Sequence, residues 1–170
     1  MRVHSFPPIS DPASRVLILG SMPGKASLRA KQYYAHPQNA FWKILAALFA
    51  FDAADPYELR VEALRAHGIA LWDVMKSCTR ASSLDSDVVE ASIVPNAFPS
   101  FLRAHPRIRT VCFNGSKAEQ SFQRHALPVL GAAAGDLAYY RLPSTSPANA
   151  SIAYAKKLAA WRAVLAASIG

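Results

Sequence analysis

Four short runs of aliphatic and β-branched residues, Val16 to Leu19, Ile69 to Val74, Thr110 to Phe113 and Leu137 to Leu142, are separated by stretches with helical spacing. Antiparallel neighbours need only a turn between them, whereas parallel neighbours need a crossover of a dozen or more residues. This alternation therefore predicts an α/β fold: a three-layer α/β/α sandwich on a four-stranded parallel sheet with right-handed crossovers. The chain has 170 residues, 52% of them hydrophobic, enough to bury one core but too few for two domains of ordinary size. One domain spanning residues 1–170 is expected.

The helical patterns are of unequal quality. Asn39 to Phe51 carries Phe41, Ile44, Leu45 and Leu48 at helical spacing, with Asn39 able to cap it. Pro56 to His67 reads as a second helix that stops at Gly68. Short helices are expected over Pro99 to Ala104 and Ser116 to His125. A last one is marked by the stripe Tyr154, Leu158, Trp161 and Leu165, with Lys156, Lys157 and Arg162 on other faces. Lys76 to Pro99 reads as an irregular excursion with one weak helix near Val88 to Ala91, and residues 131–135 read as a loop.

In a parallel sheet the carboxyl ends of the strands gather at one edge, where open α/β folds bind ligands. Three of the four ends carry polar or Gly/Pro-rich loops: Gly20 to Gly24, Asn114-Gly115, and Pro143 to Asn149. The fourth ends in a carboxylate, Asp73. A carboxylate there loses hydration and needs a donor or a cation. It either pairs with an arginine such as Arg80 or reads a ligand. Tyr33 and Tyr34 either pack or stack on a base, and His36 before Pro37 either steadies the loop or takes part in chemistry.

Charge narrows the partner. Nineteen Lys and Arg against eleven Asp and Glu leave +8, so the field around the molecule favours an anion, with nucleic acid foremost. The two cysteines, Cys78 and Cys112, belong to no metal-spaced cluster and suit a reducing compartment. The amino terminus has no apolar stretch of signal-peptide length and no run reaches membrane-spanning length, so a cytoplasmic protein without a membrane partner is expected.

Three blocks then appear in order: Gly20-Ser-Met-Pro-Gly24, Tyr34-Ala-His-Pro-Gln-Asn-Ala-Phe-Trp42, and Ser144-Thr-Ser-Pro-Ala-Asn-Ala150. Together they resemble the motifs of the uracil-DNA glycosylase superfamily. The middle block resembles the Phe-Ala-His-Pro-x-Asn-x-Phe-Trp run of its mismatch-specific branch, and the combination is most similar to the hypoxanthine-DNA (deoxyinosine) glycosylase branch. The match runs from residue 16 to about 155 and takes in Asp73 and Asn114-Gly115. Two positions depart from the usual pattern. Met22 stands where several branches carry Asp or Asn to position the attacking water, and Ser144 stands where many carry His.

The resemblance implies a monofunctional DNA glycosylase that needs no metal or organic cofactor; a monomer is the default expectation, and DNA binding would associate it with the nucleoid. It implies Asn39 as the catalytic residue in place of the missing groups. An amide oxygen accepts a hydrogen bond from water and aims it, though it cannot remove the proton. The implied base pocket comprises Gly20, Ser21, Met22, Pro23, Tyr34, Asp73 and Asn114. An ionised Asp73 accepts from N1–H of hypoxanthine and repels the N1 lone pair of adenine, while Tyr34 stacks on the base. Gly24, Lys25, Ser144, Thr145, Ser146, Pro147, Ala148 and Asn149 are the implied DNA contacts, with the amide groups opening the last helix as further phosphate donors and Arg29, Arg80 and Lys117 as a basic rim. A uracil or mismatch-specific glycosylase and a catalytically silent DNA-damage binder remain open alternatives.

Overall fold

The computed structural model describes residues 1–169. In chain order it contains β1 (Arg2–His4), β2 (Val16–Gly20), α1 (Lys25–Ala30), α2 (Phe41–Phe49), α3 (Tyr57–Ala66), β3 (Ile69–Asp73), β4 (Met75–Thr79), β5 (Val94–Pro95), α4 (Phe98–Ala104), β6 (Thr110–Asn114), α5 (Ser116–Ser121), α6 (Leu127–Leu130), β7 (Ala138–Leu142) and α7 (Tyr154–Ile169). The main sheet is parallel with order β3-β2-β6-β7, as expected. Because β2 lies between β3 and β6, the strand order reverses beside it, and a crevice opens at its carboxyl end.

Period-two alternation divides the core between the two faces. Val16, Ile18, Ile69, Leu71 and Cys112 face α2, α3 and α7, meeting Phe41, Ile44, Leu64, Trp161 and Leu165. Leu17, Leu19, Ala70, Trp72, Val111 and Phe113 face the other way, onto Phe98, Phe101, Ala118 and Phe122. A strand buried on both faces reads as the unbroken apolar run seen at Val16 to Leu19.

A second sheet was not foreseen. β1, β4 and β5 pair antiparallel in the order β1-β4-β5, and β4 comes from the segment read as irregular. Its partners are a three-residue strand about 75 positions upstream and a two-residue strand, so no local pattern announces it. Met22, Met75, Cys78 and Ile93 fill the space beneath.

Other departures are local. The weak helix near Val88 to Ala91 is replaced by two 3₁₀ turns, Asp85–Asp87 and Glu90–Ser92, and the loop at 131–135 is a 3₁₀ turn as well. α1 was not read from the sequence. The helix from Ser116 widens into a π turn at Phe122–Ala126 and continues as α6. Lys157, expected on a solvent face, is only 5% exposed. Asn39 lies outside α2, whose first flanking residue is Ala40.

Candidate active site

A cleft of about 780 Å³ opens over the carboxyl ends of the parallel strands; Asn39, every candidate base-pocket residue, Gly24, Lys25 and residues 144–149 lie along its wall, and Arg29, Arg80 and Lys117 do not. The loop after β2 forms its floor. Gly20 is in register with Asp73, and the carbonyls of Gly20 and Ser21 accept from Val74 N–H (2.8 Å) and Met75 N–H (3.1 Å). The loop thus inherits the rigidity of both strands. Met22 turns its side chain into the satellite core and is 7% exposed, so this position contributes packing where a polar group would face the cleft. The Pro23 carbonyl accepts from the Arg80 guanidinium.

Arg80 corrects one expectation. At 4% exposure it lies beneath the loop and cannot belong to a basic rim. It makes no ion pair with Asp73, although its charge partly offsets the cost of burying that carboxyl. Asp73 is itself 4% exposed and its Oδ2 has no hydrogen-bond partner. Burial pushes its pKa up to about 7, with Arg80 opposing the rise and Asp85 adding to it.

Gly20 explains how the carboxyl and a tyrosine come together. A Cβ there would lie 2.6 Å from Asp73 Oδ1 and 3.0 Å from Tyr34 Oη, so both polar atoms converge over the glycine's bare Cα. Tyr34 sits in the left-handed region (φ 55°), a conformation that is strained for a bulky residue. It is held there by stacking on Phe41, with centroids 4.0 Å apart and planes 19° from parallel. Its hydroxyl is buried without a partner, and burial raises its pKa well above the usual phenol range. Tyr33 takes the packing role. It is 4% exposed, donates from its hydroxyl to the Pro7 carbonyl (2.9 Å), and accepts from the Trp42 indole at its own carbonyl (2.9 Å).

Asn39 approaches from the turn before α2. Its Oδ1 accepts from Phe41 N–H at 2.9 Å, which orients the amide and leaves a second lone pair free of that bond. His36 supports the same turn, accepting from Gln38 N–H at Nδ1 (3.1 Å), and is exposed at the cleft edge. The Ala40 N–H donates to the Thr145 carbonyl (3.0 Å), tying the middle block to the last one.

The far wall is the loop following β7. Asn114 and Thr145 exchange two hydrogen bonds, Asn114 Nδ2 to Thr145 Oγ1 and Thr145 N–H to Asn114 Oδ1, both 2.9 Å. The Asn114 amide therefore braces the loop as well as lining the cleft. Thr145, expected to reach phosphate, is 1% exposed, so its side chain points inward. Gly115 (φ 93°) passes so close that a Cβ would meet Ser144 Cβ at 3.0 Å. The Trp161 indole fixes the loop from below, donating to the Pro143 carbonyl (3.0 Å).

Farther along, Ser144 and Ser146 accept from the amides of Ser146 and Ala148 (3.2 Å each), and Asn149 Nδ2 donates back to the Ser144 carbonyl (3.2 Å). Pro147 and Ala148 form the exposed tip. The last helix begins at Tyr154, beyond this tip, so a 3₁₀ turn at Pro147–Asn149 takes the place expected for its opening amides.

Of the expected basic rim, Lys25 and Arg29 are exposed. Lys117 instead joins Arg124 and His125 around Glu90, at 2.8, 3.0 and 3.0 Å. Those donors hold the Glu90 carboxyl down at about 2. Residues 83–86, Arg141 and Ile152 line the cleft without having been singled out from the sequence. Arg141 is the penultimate residue of β7, and a charge there in an otherwise apolar and aromatic run is the signal that could have identified it. Among the described residues no cluster of three or more His, Cys, Asp or Glu is arranged to hold a metal, and no helix is long and apolar enough to cross a membrane.

Comparison with known proteins places the fold in a family. The family model for the uracil DNA glycosylase superfamily matches residues 7–166. A protein named hypoxanthine DNA glycosylase from Methanosarcina barkeri (strain Fusaro / DSM 804) is 39% identical over 119 residues, covering 69% of this chain and 74% of the relative. One of the same name from Methanosarcina acetivorans is 37% identical over 116 residues, covering 68% and 72%. A solution NMR structure from Methanosarcina acetivorans, given there as a provisional uracil DNA glycosylase, superposes with a TM-score of 0.81 at 32% identity, covering 97% of both chains. With the family matched along nearly its whole length and the three motif blocks meeting in one cleft, this chain belongs to the uracil DNA glycosylase superfamily.

Proposed function

We propose that this protein is a monofunctional DNA glycosylase that draws a deaminated nucleotide out of the helix and hydrolyses its N-glycosidic bond, with hypoxanthine in deoxyinosine as the principal base. The observation that carries the reading is the buried Asp73 carboxyl above Gly20, in one cleft with Asn39 and a tyrosine face. The names of the two relatives support the choice of base.

A base in this cleft lies against Tyr34, and the Asp73 carboxylate accepts from N1–H. Adenine offers a lone pair at N1 instead, and two opposed acceptors in a dry site cost far more than a lost bond in water. A second lone pair on Asn39 Oδ1 accepts from a water and directs its oxygen at C1′. As the glycosidic bond lengthens, the sugar gains oxocarbenium character and the bonding pair moves onto the base. The water oxygen then bonds to C1′, the proton it loses passes to solvent, and the departing base takes up a proton. Positioned dipoles and an aimed water supply this chemistry without a strong base. Lys25 is exposed at the rim and lacks the desolvated setting of a Schiff-base amine, so water is the nucleophile and the strand is left intact.

Ser144, Ser146, Asn149, Gly24 and Lys25, all on the cleft wall, contact the phosphate backbone, and the net charge of +8 favours an anionic partner. The enzyme acts as a monomer, associated with the nucleoid in the cytoplasm. The test is product identity. A duplex containing deoxyinosine should yield free hypoxanthine and an unbroken strand that is cleaved only after alkali. Binding without base release would leave a damage-binding protein, and release only from uracil duplexes would shift the assignment to that base.

A further inference from the structure

The far wall of the cleft carries a charge that neither the base pocket nor the serine-rich loop uses. Arg141 lines the cleft from β7, and its side chain is 59% exposed. We infer that Arg141 clamps one phosphate of the bound DNA strand, with Glu119 holding its guanidinium until that phosphate displaces it, an inference that rests on the proposed reading of the cleft as a DNA site.

Three observations lead there. First, the strand aims the side chain. Alternation along β7 puts Arg141 on the same face as Tyr139, which packs on Phe113 and Phe122, while Leu142 turns into the core on the other face. The register partner of Arg141 is Phe113, immediately before the Asn114-Gly115 turn. Its backbone is therefore fixed beside the turn that braces Thr145.

Second, the guanidinium is loosely held. Arg141 Nη1 lies 3.6 Å from Glu119 Oε1, too long for a hydrogen bond. An exposed ion pair of this kind contributes little to stability. A guanidinium presents its donors in a planar fork that matches two phosphate oxygens. Exchanging the carboxylate for a phosphate gives up one loose pair and gains two charge-assisted hydrogen bonds.

Third, the cleft has no diffuse pull of its own. Among the described residues on its wall, Lys25 and Arg141 are the permanent cations, and Asp73 and Asp85 are the carboxylates. These charges cancel, so DNA is gripped there by individual contacts. Lys25 supplies one beside the floor loop, and Arg141 supplies one on the far wall. A charge on an edge strand such as β7 also discourages pairing with another chain, but that purpose needs no place in the cleft.

The experiment measures affinity for a duplex carrying an uncleavable deoxyinosine analogue. Arg141→Gln should weaken binding about tenfold and lower the slope of log affinity against log salt by about one. Glu119→Gln should act in the opposite direction, tightening binding about threefold, the scale of freeing one exposed ion pair. That gain should vanish in the Arg141→Gln background. Arg141→Lys should keep the salt slope but recover only part of the affinity, since an ammonium cannot form the paired bonds. Neutral methylphosphonates placed singly along the strand then locate the contact: at one position the change should weaken binding of wild type about tenfold and leave Arg141→Gln unaffected. Equal weakening by Arg141→Gln and Glu119→Gln, as a purely structural ion pair would give, or full additivity of Arg141→Gln with every methylphosphonate, would overturn the inference. Wild type that binds the duplex but releases no hypoxanthine would defeat the proposed function alone, because the binding measurements still decide the role of Arg141. Wild type that binds no duplex would overturn both.

Discussion

Replacing Asp73 with asparagine should stabilise the fold while disabling base recognition. The folded-state pKa of Asp73 is about 7 against an ordinary 3.8, so between those values the native state holds more protons than the unfolded chain. Stability from this group is therefore fully present below about pH 4 and is lost as pH rises through 7. At 1.36 kcal/mol per pKa unit, the penalty for ionising the buried group is about 2 kcal/mol at pH 5 and about 4 kcal/mol at pH 8. The neutral amide of the variant would escape it, less about 1–2 kcal/mol for burying an amide whose donors lack partners. The informative quantity is the change with pH, in which that fixed cost cancels. Urea unfolding of wild type and Asp73→Asn at pH 5 and pH 8 should show the variant's advantage growing by about 2–3 kcal/mol. On deoxyinosine the variant should lose about 2 kcal/mol of transition-state stabilisation, and its selectivity against adenine should shrink because an amide can rotate to donate. A variant that is less stable than wild type by the same amount at both pH values would refute the picture of an ionisable carboxyl held at energetic cost for the ligand.

Gly20→Ala should fold but lose most activity, because its Cβ would meet Asp73 Oδ1 at 2.6 Å and must displace it; base-release kinetics alongside a thermal melt check this. Asn39→Ala should abolish base release while duplex affinity stays within about threefold, and the lost hydrogen bond to Phe41 N–H should cost about 1 kcal/mol of stability. Lys25→Ala should lower the slope of log affinity against log salt by about one, whereas Lys117→Ala should leave the slope unchanged, since Lys117 is engaged by Glu90. Thr145→Val should slow turnover and cost about 1–3 kcal/mol of stability by leaving Asn114 Nδ2 without its acceptor, measured by urea unfolding.

The parallel sheet was legible because its strands are apolar on both faces and separated by helices, patterns that local sequence carries. The antiparallel sheet was not, since its register joins Arg2 to Thr79 and no turn marks the pairing. The cleft lining was legible for a related reason: strand ends must converge in a parallel sheet, so Gly20, Asp73, Asn114 and Ser144 could be grouped without coordinates. What each side chain does there depended on its neighbours. Thr145 looked like a phosphate donor and proved to be the partner of Asn114, while Arg80 and Lys117 looked like a rim and proved to be buried or paired. Residue type gives the chemistry a group can perform, but burial and partners decide whether that group faces the ligand.

The central claim is that one buried carboxylate selects a base bearing N1–H and an aimed water releases it. The most direct measurement is single-turnover base release from matched duplexes that differ only in one nucleotide: deoxyinosine, deoxyuridine, deoxyxanthosine or deoxyadenosine. The account predicts fastest release of hypoxanthine and no measurable release of adenine, with the hypoxanthine rate falling as pH drops below 7 and Asp73 takes up its proton. Release of adenine at a rate comparable to hypoxanthine, or a hypoxanthine rate indifferent to pH across that range, would contradict it.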